Sequence, residues 1–407
     1  MESPDYPFPE VRRVFEQAIG SAFRVDDVDR LRRFVCTCSQ AAWNWYSATA
    51  NLPAPGFDGY TRPMPKFAVT SLAIMSAMAP LTAQTPELKH RFLQVNGIKM
   101  HIAEQGEGPL VVLVHGFPEL WYSWRHVLPA LAGAGYHVVA PDMRGYGQTD
   151  APPNVEDYTL PKLAGDIVGI VHALGYDQAV IAGHDWGAPV AYTAANLRPD
   201  MFRAVVLLSV PFSVRGEGGV KPSEGMRRMM PPGKQFYQTY FQEPGVAEKE
   251  LAADPKRTMR MLLYSASGSI PKQDKWRYIF GTNEKVLDTV TDPQQLPAWL
   301  KPEDIDFYGQ EFARTGFRGG LNYYRSQDLT WAETGFLIGR KLLQPTLFVA
   351  GQDDPVVEFA KAGVDNLEKS VPNLWKKALL PGVGHWTEQE APAEVNRLFL
   401  EFLKSLK

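Results

Sequence analysis

From Leu88 to its C-terminus the chain alternates between two kinds of text. Short runs such as "PLVVLVHG", "YHVVAPD", "QAVIAG", "RAVVLLS" and "PTLFVAG" are apolar along nearly their whole length. Between most of them stand segments of helical period, such as "SWRHVLPALAGAG" and "LPKLAGDIVGIVHALG". A strand that is apolar on both sides must be covered on both sides. Strand–helix–strand alternation meets that demand with a mainly parallel sheet between two helical layers, an α/β fold. Ahead of it, "FLQVNGIKMHIAEQG" places two short runs about Asn96-Gly97, which predicts a hairpin. At the other end, "LWKKALLPG" reads as the last strand, and an amphipathic helix from Ala393 to Leu406 closes the chain. Between Phe212 and about Leu342 the alternation stops. That text is rich in Met, Tyr, Arg and Pro, and is read as a helical cap inserted after the "RAVVLLS" strand. The expected organisation is an extension of unknown role over 1–87, a core in two parts over 88–211 and 343–407, and the cap over 212–342. A chain of 407 residues is long enough for both.

The stretch that bears most on chemistry is "VIAGHDWGAPVA". A strand runs into Gly183-His184-Asp185-Trp186-Gly187, and a helix follows. Such a strand–turn–helix elbow needs small residues on both sides because backbone packs on backbone. In esterases and lipases the middle position carries Ser; here it is Asp185. The helix that begins near Trp186 turns its N–H groups and positive dipole end toward the carboxylate. The plain alternative is that Asp185 only caps that helix. A carboxylate needs no base to be ionised, attacks saturated carbon in one displacement and leaves an alkyl ester. Such an ester must then be hydrolysed, which calls for a base to activate water, an acid to orient it, and an oxyanion hole.

All three can be found downstream or upstream of the elbow. "PGVGHWTE" sets His385 on a Gly-rich turn after the last apolar strand. "VAGQDDPVV" sets Asp353 and Asp354 just past another strand, and the Gly-x-x-Asp-Pro spacing favours Asp354 as the orienting acid. The other post for an acid, after the strand ending at Ser209, offers no carboxylate. "LVHGFPELWYSW" places His115-Gly116-Phe117-Pro118 after the first parallel strand, so the Phe117 and Trp186 N–H groups are the expected oxyanion donors. A Gly-Phe-Pro turn also invites a cis bond before Pro118.

"HGFPELWYSWRHVLPAL", "DMRGYGQTD", "GHDWG" and "GHWTEQEAP" together resemble the epoxide hydrolases of the α/β-hydrolase fold, near the soluble epoxide hydrolase branch. The resemblance spans roughly residues 88–407. The chain order nucleophile, acid, histidine agrees with it. It implies an α/β-hydrolase core with a helical cap, and ring opening of an epoxide followed by release of a vicinal diol. It also implies two cap tyrosines that hold the epoxide oxygen. "YQTYFQEPGVAEKEL" and "TGFRGGLNYYRSQDL" resemble the segments that bear them, which carries those roles to Tyr240 and Tyr324, with Tyr237 and Tyr323 as the neighbouring alternatives. A phenol, with a pKa of about 10, can hydrogen-bond the ring oxygen and protonate it as it opens. His115, Pro118, Trp186, Tyr240 and Tyr324 are the expected substrate-binding residues. No metal and no organic cofactor is required. Haloalkane dehalogenases are the rival reading, since they use the same Asp, acid and His; paired cap tyrosines argue against it. A fluoroacetate-type dehalogenase would carry Arg where Trp186 stands. A binding protein on a retired hydrolase scaffold would not need a complete Asp/Asp/His set.

Composition narrows the rest. Hydrophobic content of 45% and charged content of 21% fit a soluble globular enzyme, and a net charge of −3 steers the chain toward neither nucleic acid nor an anionic membrane. The two cysteines, Cys36 and Cys38, lie far upstream of the core, so no cysteine nucleophile or thiolate site is expected there. The expected partner is a small apolar epoxide, with the chain a monomer or homodimer. Residues 64–83 have the outline of a secretory signal peptide: Met64 and Lys66, an apolar run, and small Ala83 at its end. If the natural start is Met64 the product is exported; otherwise the default is cytoplasmic.

Overall fold

The computed structural model describes residues 86–406. The expectations for a helix over Pro9 to Phe34 and for a signal peptide over 64–83 lie outside the described residues. Strands β1 (Lys89–Val95), β2 (Ile98–Gln105), β3 (Leu110–Val114), β4 (His137–Pro141), β5 (Ala179–His184) and β6 (Phe202–Leu208) come first. The short β7 (Lys234–Phe236) and β8 (Ile279–Gly281) pair with each other, and β9 (Thr346–Gly351) and β10 (Leu374–Leu380) follow. The main sheet has eight strands in the order β1-β2-β4-β3-β5-β6-β9-β10. β1, β2 and β4 meet antiparallel, and every later pair is parallel. Asn96 and Gly97, both with positive φ, close the β1–β2 hairpin as the sequence predicts.

The helices of the first core segment are α1 (Val127–Gly133), α2 (Leu160–Ala173) and α3 (Gly187–Leu197). Between β6 and β9 come α4 (Pro222–Met229), α5 (Tyr237–Tyr240), α6 (Val246–Leu251), α7 (Pro255–Ser265), α8 (Pro302–Thr315), α9 (Arg318–Arg325) and α10 (Gln327–Glu333). After β9 come α11 (Pro355–Phe359), α12 (Lys361–Asp365), α13 (Leu367–Ser370), α14 (Thr387–Glu390) and α15 (Pro392–Ser405). Strand residues divide between two cores by their period of two. Val112, Val114, Ile181, Val205 and Leu207 pack on one side with Ile167 of α2 and Ala188 of α3. Val111, Leu113, Val180, Ala182 and Val206 pack on the other with Leu128 of α1 and Phe399 of α15. That double burial is why the strands read as continuous apolar runs. Among the described residues, no helix is long and apolar enough to cross a membrane.

The sheet matters for function because β3, β5, β6 and β9 are adjacent and parallel, so their carboxyl ends open on one side. The turns after them carry Phe117, Asp185, Ser209 and Asp354 respectively. This is the usual place for a ligand site on such a sheet.

Candidate active site

Asp185 stands at the turn between β5 and α3 with a φ of 47°, the left-handed region that few non-glycine residues adopt. Backbone packing forces the turn. A Cβ at Gly183 would meet the carbonyl of Gly187, and a Cβ at Gly187 would meet the carbonyl of Val114. A Cβ at Gly116 would collide with the Asp185 side chain itself. The carboxylate is therefore pressed against the β3 turn, where the Phe117 N–H donates to its Oδ1 over 2.8 Å. The Phe117-Pro118 bond is cis. Trp186 caps α3, at a point where first-turn N–H groups have no intrahelical acceptor.

The other carboxylate oxygen faces His385. His385 Nε2 lies 3.6 Å from Asp185 Oδ2, and its Nδ1 lies 3.2 Å from Asp354 Oδ1. Asp354 caps α11, taking the Val356 N–H at 2.9 Å, and is 2% exposed. Burial pushes its carboxyl up, but the facing imidazole and hydrogen bonds from His385, Ser209 and the Val356 N–H outweigh burial and hold it below the usual carboxylate range. Burial alone would push His385 down. The Asp354 charge and the hydrogen bonds to both aspartates win, and raise it well above the ordinary histidine value. Ser209, also at positive φ, places its Oγ 3.2 Å from His385 Nδ1. The sequence reading considered that post only for a carboxylate. A lone serine after a strand carries no signal by which to find it.

These groups face a narrow cavity of about 20 Å³ lined by Phe117, Asp185, Tyr237, Trp276, Tyr278, Tyr324, Val356, His385 and Trp386. Three tyrosines line it, Tyr237, Tyr278 and Tyr324; Tyr237 and Tyr324 stand in the two segments singled out from the sequence, with ring centroids 5.9 Å apart. The expectation for Tyr240 is corrected here. Its hydroxyl donates to Glu250 at 2.7 Å, and it does not line the cavity. In the four-residue helix α5 the two tyrosines are three positions apart, and it is the Glu250 carboxylate and the cavity that sort them. Tyr323, the other near neighbour, donates to the Arg144 carbonyl at 3.0 Å and is spent on structure. Burial first, then the Asp185 charge, pushes the Tyr237 phenol up, with hydrogen bonds from Gln238 and Tyr324 offsetting part of it. Burial does the same to Tyr324. Both therefore keep their protons near neutral pH. Gln238 Nε2 donates to the Tyr237 hydroxyl at 3.0 Å, which leaves the phenol's own proton free to donate elsewhere.

The cap tyrosines are held together from behind. Gln242 Nε2 donates both to the Gln238 carbonyl at 2.9 Å and to the Tyr324 carbonyl at 3.1 Å. Arg325 donates to the Phe241 carbonyl and pairs with Glu248. A stacked pair, Trp276 and Tyr278, with centroids 4.5 Å apart, forms part of the wall.

Three further expectations for substrate contact are corrected. His115 does not face substrate. It is 1% exposed; its Nδ1–H donates to the Gly116 carbonyl and its Nε2 accepts the Met143 N–H. Burial lowers its pKa, in keeping with a neutral ring fixing the turn. Pro118 is buried and does not line the cavity, and the Trp186 ring stands edge-on to Tyr324 at 5.1 Å rather than on the cavity wall.

A scaffold of this topology, with Asp185, Asp354 and His385 brought together past the carboxyl ends of β5, β9 and β10, is that of the α/β hydrolases, and the family model described as "alpha/beta hydrolase fold" matches residues 109–388. Within that fold the chain belongs to the epoxide hydrolases. It is 42% identical to epoxide hydrolase A of Mycobacterium tuberculosis over 320 residues, covering 78% of this chain and 98% of that protein. It is 40% identical to epoxide hydrolase 2 of Siraitia grosvenorii, with 78% and 99% covered. The solved structure of an epoxide hydrolase from an endophytic Streptomyces superposes with a TM-score of 0.76 at 41% identity, covering 78% of this chain and 96% of that one.

Proposed function

We propose that the chain hydrolyses a small apolar epoxide to a vicinal diol in two steps, with Asp185 as nucleophile. The observation that carries this is the placement of the Asp185 carboxylate: one oxygen on the Phe117 N–H, the other toward His385, with two protonated phenols across the same cavity. Asp185 Oδ attacks a ring carbon, and the carbon–oxygen bond of the ring breaks. Tyr237 and Tyr324 hydrogen-bond the ring oxygen and supply its proton. The ester formed cannot break at the new bond without a second displacement, so it is cleaved at its carbonyl. The ester carries no charge, so His385 loses one of the two carboxylates that hold its proton; neutral and oriented by Asp354, it takes a proton from water. The hydroxide attacks the Asp185 Cγ, and the developing oxyanion is met by the Phe117 and Trp186 N–H groups. The intermediate collapses with cleavage of the Cγ–Oδ bond to the alkylated oxygen, and the His385 imidazolium returns its proton to the leaving alkoxide. The proton left on the Asp185 carboxyl restores the phenol, and the diol leaves with an oxygen that belonged to Asp185. The apolar and aromatic wall favours an apolar epoxide. Paired phenols have no task in halide displacement, so nothing on the cavity favours a dehalogenase.

Single turnover with enzyme in excess in ¹⁸O-labelled water tests the reading. The diol is expected unlabelled and the peptide containing Asp185 labelled. A labelled diol with an unlabelled Asp185 peptide would mean that water attacks the epoxide directly, and would overturn the covalent mechanism.

A further inference from the structure

Directly behind the elbow lies a second charged cluster that the two-step mechanism does not use. His184, Glu119 and Glu388 are fully buried, and their ligand-type atoms lie within 4.8 Å of one another. His184 Nε2 is 2.7 Å from the carbonyl of His385, so that nitrogen must carry a proton. Its Nδ1 is 2.6 Å from Glu119 Oε2, which also accepts the Gly116 N–H of the oxyanion turn at 2.9 Å. The other oxygen, Glu119 Oε1, accepts from Gln389 at 3.2 Å. His184 and Glu119 thus share one further proton as a neutral ion pair. They tie the turn that holds the oxyanion donors to the loop that holds the base.

Glu388 is the odd member. It is 0% exposed, and among the described residues neither of its oxygens has a hydrogen-bond partner. Its nearest cation is His184, with Nδ1 3.8 Å from Glu388 Oε1, but that nitrogen is already committed to Glu119. From α8, Tyr308 shares its hydroxyl with Ser123 at 2.7 Å and so offers nothing to Glu388. Arg125 is occupied by Asp304 and Gln389. On the far side of Glu119, His115 is neutral. His385, the remaining titratable group here, directs its ring to Asp185 and Asp354. An ionised Glu388 would leave the cluster with an uncompensated negative charge in a dry interior, which is costly. A metal ion does not resolve this. Two ligands of one zinc ion at about 2.0–2.2 Å stand roughly 3 Å or more apart, and the 2.6 Å between His184 and Glu119 is the distance of a shared proton.

We propose that Glu388 is held as the neutral carboxylic acid, donating toward Glu119, and that it acts as a positioning residue that locks the Glu119–His184 tie between the oxyanion turn and the His385 loop. Burial, with the neighbouring Glu119 charge, pushes the Glu388 carboxyl up to about 8, while burial of His184 is opposed by the Glu119 charge and hydrogen bond, which raise it above the ordinary histidine value. The sign follows from linkage. A carboxyl whose folded pKa lies above its unfolded value contributes stability that is complete below the unfolded value, 4.5, and is lost as pH rises through about 8. Glu388→Gln keeps the shape of the neutral acid and cannot ionise. Its consequence for the ester step rests on the role proposed for His385; the bound proton does not.

The test compares the wild-type enzyme with Glu388→Gln. Chemical denaturation from pH 6 to 9 is expected to show the Gln variant gaining over wild type by about tenfold in unfolding constant per pH unit up to about pH 8, then no further. The rate of ester hydrolysis in the pre-alkylated enzyme is expected to fall on the alkaline side in wild type and to hold further into alkali in the variant. Infrared difference spectra should show a protonated-carboxyl stretch in wild type at pH 7 that the variant lacks. If the variant does not fold, the same stretch in wild type should bleach as pH passes about 8. Parallel pH profiles, no such stretch, or stoichiometric metal in the purified enzyme would overturn the proposal. A labelled diol in the ¹⁸O experiment would remove the role of His385 and leave the Glu388 proton standing.

Discussion

Asp185 and Tyr237 face the same cavity but are held there by different kinds of force. Asp185 is fixed by backbone: a sheet strand, a left-handed turn, and three close approaches that only glycine permits, at Gly116, Gly183 and Gly187. Tyr237 sits on a four-residue helix and is aimed by side chains, through Gln238 at its hydroxyl and Gln242 and Arg325 behind it. The core half of the site is therefore a property of the fold, while the cap half is a property of tertiary contacts. The first half tolerates little change in shape. The second can shift by one helical turn and select a different phenol.

The sharpest break in that comparison is Asp185→Asn. Asn tolerates left-handed backbone nearly as well as Asp, so the fold should survive by circular dichroism. Diol formation should fall by at least about 10⁴-fold. Substantial residual turnover would mean that Asp185 only shapes the elbow. The next largest effect is on the base. His385→Gln should alkylate once and stall, read as a stable mass increase of one substrate, with hydrolysis slowed roughly 10²–10⁴-fold. A variant that folds but never takes up substrate would contradict the division of steps.

The cap half is tested by three phenylalanines. Tyr237→Phe and Tyr324→Phe should each slow alkylation by about 10²-fold while leaving hydrolysis of the ester much less affected. Tyr240→Phe should leave the rate within about twofold and cost only the Glu250 hydrogen bond, on the order of 1 kcal/mol in stability. A reversed ranking of Tyr237 and Tyr240 in stopped-flow tryptophan fluorescence would show that α5 turns on binding. An effect smaller than at either cavity phenol is expected at Ser209→Ala. Losing one hydrogen bond to His385 should slow ester hydrolysis by several-fold, about 1 kcal/mol in barrier, with alkylation unchanged.

The same division explains what could be read from the sequence. Asp185, His385 and Asp354 sit at strand ends, and apolar runs announce strand ends in one dimension. The hairpin at Asn96-Gly97 and the elbow glycines are equally local. Tyr240 was expected in place of Tyr237 because in a single short turn nothing local separates them; Glu250, ten residues on, does. His115 follows a strand next to the elbow and so looks like a site residue. Only the positions of the Gly116 carbonyl and Met143 N–H show that both its nitrogens are engaged in the turn. The Glu119–His184–Glu388 cluster spans 270 positions of chain and has no periodicity at all.

The cavity itself has a further consequence. At about 20 Å³ it is narrow, with the Trp276–Tyr278 pair as part of its wall. An epoxide that enters occupies the space beside Asp185 that a water would otherwise fill. The proposed second step consumes one water at that same place, so the hydrolytic water is expected to enter after the ester has formed. Hydration of the chamber thus becomes a step in the catalytic cycle, and osmotic pressure should act on the second half-reaction with opposite sign to its effect on the first.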